Sequence, residues 1–81
     1  MGVELVLYSG KACGLCDQML ARLEPLLQAH QASIRVVDIA GDAELMHRFG
    51  TRIPVLLCHG EILCEGHLDP DLVAQSLRRH R

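Results

Sequence analysis

Eighty-one residues allow one domain at most, able to withdraw only about 60–65% of its unfolded surface from water. Nearly half the chain (49%) is apolar, which supplies an aliphatic core and excludes a disordered chain, while one Tyr, one Phe and no Trp leave no surface for stacking bases. A net charge of −2 with acids and bases interspersed lacks the basic footprint of a nucleic-acid binder, and the one basic run, Arg78-Arg79-His80-Arg81, reads as a helix end or solvated tail.

Residues 3–8 read as a buried strand, too short to span a bilayer and preceded by no basic leader, so neither membrane nor export is expected and the expected compartment is the cytoplasm. Ser9-Gly10-Lys11-Ala12 is a loop. Over 13–30, Leu15, Met19, Leu20, Leu23, Leu26 and Leu27 recur at helical period; Pro25 interrupts them and predicts a kink or an end near Glu24. A second strand spans 33–39, with Ile34 and Val36 on one face and Val37 and Ile39 on the other. Asp42 is the N-cap of a short helix with the stripe Leu45, Met46 and Phe49, and Gly50 suits a left-handed C′ position. Residues 53–58 and 61–64 are strands joined at His59-Gly60, a hairpin signal. Asp69-Pro70 opens a last helix with Leu72, Val73 and Leu77 inward.

The order β-α-β-α-β-β-α predicts an α/β fold, a four-stranded mixed sheet with helices on both faces. Its first two strands are parallel through a right-handed crossover, and its last pair is an antiparallel hairpin. One domain over 1–81 and a monomer are expected.

Four cysteines in a reducing compartment do not make a disulfide framework; a Cys-x-x-Cys pair there serves catalysis or metal binding. Cys13 falls where a buried strand gives way to a helix, whose first N–H groups have no internal acceptor and carry partial positive charge. A free thiol with a pKa near 8.5 is about 3% thiolate at pH 7. Lowering it to about 7 makes half of it thiolate, a difference of roughly 2 kcal/mol that a helix start and a nearby cation, with Lys11 the candidate, can supply. Cys16, one turn deeper on the same face, is placed to resolve a mixed disulfide formed at the exposed Cys13. Pro54 opens a strand where a trans proline would sit oddly in a central ladder. A cis Ile53–Pro54 bond would set that backbone opposite the helix start and offer the Ile53 N–H and C=O to an extended substrate.

Leu7-Tyr8-Ser9 leading into Cys13-Gly14-Leu15-Cys16, then Arg52-Ile53-Pro54-Val55-Leu56, then Glu65-Gly66-His67-Leu68-Asp69, together resemble the glutaredoxin branch of the thioredoxin superfamily, especially its small bacterial glutaredoxin-like members. The resemblance covers nearly the whole chain and implies a thioredoxin-like three-layer fold and thiol–disulfide oxidoreductase activity. On it, Cys13 is the nucleophile and Cys16 the resolving thiol. Pro54 is cis with Ile53 against the substrate backbone, and Gly66, Leu68 and Asp69 form the turn that holds the γ-glutamyl end of glutathione. The implied partners are a disulfide-bonded protein or glutathione as co-substrate, with no resident cofactor. Three positions depart from that pattern. Gly10 stands where glutaredoxins place a Lys, with Lys11 one step on; Cys-Pro-aromatic-Cys becomes Cys-Gly-Leu-Cys; and His67 replaces the second glycine of the late turn. All three fall on glutathione contacts and leave the dithiol intact.

Other readings compete. Paired thiols can hold a metal or an iron–sulfur cluster without turnover, and Gly14 in place of proline accommodates a cluster. A zinc site completed by Cys58 and Cys64 is disfavoured, since a two-residue turn pairs Cys58 with Glu61 and Cys64 with Val55, on opposite faces of the hairpin. No metal site is expected, and both read as small hydrophobes. Of five histidines only His67, in the turn bordering the dithiol, is placed to tune a thiolate or meet a substrate carboxylate. Asp17 and Asp38 are candidate proton acceptors, Asp17 equally a first-turn acid favoured by the helix dipole. A fold kept for partner docking alone is the third reading.

Overall fold

Leu5 and Leu7 point to one side of the first strand while Val6 and Tyr8 point to the other, and this alternation divides the molecule into two cores. The computed structural model describes residues 2–80, so Arg81 of the basic run lies outside the described residues. Its elements are β1 (Glu4–Ser9), α1 (Gly14–Ala29), β2 (Ser33–Asp38), a 3-10 turn (Ile39–Gly41), α2 (Ala43–Phe49), β3 (Val55–Cys58), β4 (Glu61–Glu65) and α3 (Pro70–His80). The sheet runs β2-β1-β3-β4, parallel between β1 and β2 and antiparallel across the other two pairs. This is the expected mixed α/β order, with the 3-10 turn added.

On one face, Leu5, Leu7 and Leu56 meet Met19, Leu23 and Leu27 of α1 and Val73 and Leu77 of α3. On the other, Val55, Leu57 and Ile39 meet Phe49 of α2, with Tyr8 against the Phe49 ring at 5.1 Å. The cap anticipated at Asp42 is made, its Oδ1 accepting from Glu44 and Leu45 N–H, and Asp69, expected to open the last helix, accepts from Leu72 N–H through Oδ1. His59 and Gly60 both take positive φ (52° and 80°), as a two-residue turn compatible with strand twist requires. No described helix is long and apolar enough to cross a membrane.

Several expectations give way. Pro25 does not end α1, which continues to Ala29. Pro25 and Ala21 are exposed, so the carbonyl one turn back that loses its donor faces water, while Leu23 and Leu27 anchor the helix on either side. Gly50 is right-handed (φ −54°, ψ −34°) and donates its N–H to the Met46 carbonyl at 2.9 Å, and a Cβ there would stand 2.5 Å from that oxygen. Met46 and Leu72 are exposed rather than inward, Val36 is exposed on β2, and in α3 Ser76 takes the buried place, its hydroxyl without a partner among the described residues.

Cys64 pairs with Leu56, not Val55. The register shifts between Leu56 and Leu57, where Leu63 is an extra residue in β4. This bulge turns both Leu63 and Cys64 into the core and puts Cys64 on the same face as Cys58, contrary to the alternation argument. Both thiols are buried and free.

Candidate active site

The loop after β1 turns sharply at Ala12, whose φ of +53° lies in the left-handed region that alanine enters at a cost of about 1–2 kcal/mol. Cys13 follows in an extended conformation (φ −107°, ψ 99°) as the N-cap of α1. Its Sγ accepts the Cys16 N–H at 3.1 Å while its carbonyl accepts from Asp17 N–H at 3.1 Å. The sulfur therefore occupies the place that a Ser or Asp oxygen takes at an ordinary helix start. Cys13 and Cys16 are joined as a disulfide with Cα atoms 5.2 Å apart. Cys13 is half-buried and Cys16 only 2% exposed, so an incoming thiolate finds one sulfur open and the other covered. Lys11 and Asp17 are exposed, and Lys11 takes part in no ion pair among the described residues.

A second wall is built by the loop before β3. The Ile53–Pro54 bond is cis, Pro54 is fully buried, and the Pro54 carbonyl accepts the Gly66 N–H at 2.8 Å. The Ile53 N–H is not free, as the sequence reading required. The backbone keeps winding through Gly50, so the Arg52 and Ile53 N–H groups both donate to the Phe49 carbonyl, at 2.8 and 3.1 Å. The Ile53 carbonyl accepts no bond among those found for the described residues. Gly10 lies against Ile53: a Cβ on Gly10 would come within 2.8 Å of Ile53 Cδ1. The place where glutaredoxins carry a Lys is thus filled by the Ile53 side chain.

The late turn completes the rim. Gly66 takes φ +76°, and His67 N–H donates to the Glu65 carbonyl at 2.8 Å. Leu68 is half-buried against the α1–α3 core. Asp69 is spent locally: its carboxylate caps α3 and its N–H donates to Cys64 Sγ at 3.4 Å. Of the residues singled out from sequence, Cys13, Cys16, Ile53, Pro54 and Gly66 mark the walls of the site. Leu68 lines a groove beside the dithiol, and Asp69 caps α3. Asp38 caps the 3-10 turn by accepting from Ala40 N–H and pairs with Ser9 at the end of β1.

Two features had no local signal. Arg52 and Glu65, thirteen residues apart, form an ion pair that ties the Ile53–Pro54 loop to the end of β4. Its hydrogen bond holds the Glu65 carboxyl below its ordinary range and the Arg52 guanidinium above its own; Arg52 also lies over the Phe49 ring at 5.0 Å. The other is a shallow groove beside the dithiol, between Leu15, Gln18, Met19 and Arg22 of α1 and the turn Gly66, His67, Leu68. Leu15, expected inward, is 42% exposed because it stands at the helix opening beyond the edge of the core. Among the described residues no three His, Cys, Asp or Glu side chains converge as a metal centre would need.

The family model described as Glutaredoxin-like domain (DUF836) matches residues 4–78. The chain belongs to this glutaredoxin-like family. Protein Ne2328 from Nitrosomonas europaea is similar in structure at a TM-score of 0.86 with 30% identity, over 95% of this chain and 93% of that one. Protein XcR50 from X. campestris is similar at 0.73 with 30% identity, over 95% and 99%. A point-mutant thioredoxin from Halobacterium salinarum NRC-1 is similar at 0.65 with 25% identity, over 98% and 74%. No curated protein is significantly similar to the chain. As a glutaredoxin-like domain of thioredoxin fold, the chain carries its Cys-x-x-Cys pair at disulfide distance at the start of the first helix.

Proposed function

We propose that this glutaredoxin-like domain is a thiol–disulfide oxidoreductase acting on disulfides of proteins or of glutathione, with Cys13 as nucleophile and Cys16 as resolving thiol. The carrying observation is the Cys13 sulfur at the helix N-cap, hydrogen-bonded by the Cys16 amide and bonded to a shielded partner. In the reduced protein the same amide and the positive pole of α1 favour the thiolate.

The Cys13 thiolate attacks one sulfur of a substrate disulfide. A Cys13–substrate S–S bond forms as the substrate's own S–S bond breaks, and the departing thiolate takes a proton from water. Cys16 then gives up its thiol proton and attacks Cys13 Sγ, and the second substrate sulfur leaves as a thiolate and is protonated. Two electrons have passed to the substrate, and the Cys13–Cys16 disulfide remains. Return to the dithiol takes two electrons from outside, as two equivalents of a low-molecular-weight thiol or one partner dithiol. Ile53 through its carbonyl, with Pro54 and Gly66, lines the path of the substrate backbone; Lys11 adds positive charge to the nucleophile's loop.

Equilibration in glutathione buffers of graded potential, followed by alkylation and mass spectrometry, tests the reading. A two-electron transition of Cys13 and Cys16 is expected between about −270 and −200 mV, the span from thioredoxin to glutaredoxins. A glutathione adduct on Cys13 is expected in Cys16→Ser. A Cys13 thiol titrating near 8.5, the value of an unactivated cysteine, with no exchange would refute it.

A further inference from the structure

Beyond Gly66, the groove beside the dithiol is used by none of the steps above. Leu15, Gln18 and Arg22 stand at spacings of three and four on α1, so they form one stripe that leads away from Cys13 along the helix. His67 and Leu68 make the facing wall. The near end is apolar, since Leu15 is 42% exposed directly between the two cysteines and Leu68 is half-buried across from it. The far end is cationic. Arg22 is exposed and takes part in none of the ion pairs among the described residues, and no residue lining the groove is acidic. On α1 the positions one turn either side of Arg22 are Gln18, Met19, Pro25 and Leu26, so no carboxylate on its own helix competes for it.

The groove's length fixes what fits. Arg22 lies nine residues after Cys13, about 13 Å along the helix axis, and its long side chain leans back toward the N-terminus. An extended peptide covers about 3.3 Å per residue. A chain held by its cysteine at Cys13 and laid along the stripe therefore brings its third or fourth neighbour to the guanidinium. An apolar side chain next to the cysteine would lie on Leu15 and Leu68, with Gln18 and His67 as polar contacts between.

We infer that this groove selects its substrate: a disulfide-bonded protein segment carrying a Glu or Asp three or four residues from the reacting cysteine, whose carboxylate pairs with Arg22. The assignment rests on the redox reading and refines it. Glutathione is too short to use the site, because its carboxylates lie one residue either side of its sulfur.

The test compares homodisulfides of two short peptides, identical except for Glu or Lys at the fourth residue from cysteine, with glutathione disulfide as a third substrate. Exchange by the full chain is followed as kcat/KM. The wild type is expected to prefer the Glu peptide by about threefold to fivefold at low salt, and the preference is expected to shrink with added salt as an exposed ion pair is screened. Arg22→Gln is expected to abolish the preference by slowing the Glu peptide and easing the Lys peptide, leaving glutathione disulfide turnover unchanged, and Arg22→Glu to reverse it. Equal rates on both peptides, or a preference that survives Arg22→Gln, would overturn the groove assignment while leaving the redox reading intact. No exchange with any of the three substrates would overturn the redox reading and the assignment with it.

Discussion

Cys13 and Cys16 sit where a helix begins, one sulfur open to solvent and bonded by a backbone amide at 3.1 Å. Cys58 and Cys64 sit in the sheet beneath α1 and α3, both buried and both free. Cys64 also receives an amide, from Asp69 at 3.4 Å, yet burial outweighs it and pushes the thiol's pKa up. A hydrogen bond alone does not activate a thiol. Access of the charged sulfur to water, or to a helix pole, decides whether the anion can form. The bulge at Leu63 sharpens the contrast, for it turns Cys64 into the core.

The largest effect expected is at Cys13. Cys13→Ser replaces a thiol by a hydroxyl that is scarcely ionised at neutral pH, and disulfide exchange should fall to background, about a thousandfold or more. Cys16→Ser keeps the first attack and loses the second, so mass spectrometry should find the substrate trapped on Cys13. In the other pair the cost should fall on stability instead. Cys58→Ala leaves a small void in the aliphatic core, worth about 1 kcal/mol, and should lower the melting temperature by about 4–8 °C with exchange rates unchanged.

A finer difference lies in alkaline solution. The folded-state pKa of Cys64 is raised, so the thiol contributes fully below the ordinary thiol pKa, about 8.5. As pH rises above that value the unfolded chain ionises first and stability falls, until the folded thiol itself titrates. Denaturant melts of the reduced protein between neutral and alkaline pH should show this slope, and Cys64→Ala should flatten it. The smallest effect concerns Glu65, whose carboxyl is held low by Arg52. Its contribution is present at neutral pH and lost as pH falls through the depressed value. Both groups are exposed, so Glu65→Gln should change acid stability slightly and leave the cysteine pairs untouched.

Much of this contrast was readable in the residues. Strand and helix order followed from periodicity, the helix starts from Asp42 and Asp69, the hairpin from His59-Gly60, and the dithiol's place from the strand before it. What escaped has a common cause. The Leu63 bulge, the buried Ser76 and the exposed Met46 and Leu72 depend on how finished elements settle against each other, which local pattern does not encode. Pro25 stays within α1 because the helix faces it toward water, a fact of packing rather than of proline. The Arg52–Glu65 tie and the groove at Arg22 join parts of the chain that only the sheet and the late turn bring side by side.

The absence of a side chain at Gly10 has mechanical weight. With Ile53 Cδ1 beside that space, the segment leading to Cys13 and the segment before Pro54 rest against each other. A larger residue in place of Gly10 would push first on the end of the Ile53 side chain, so that one contact couples the two segments.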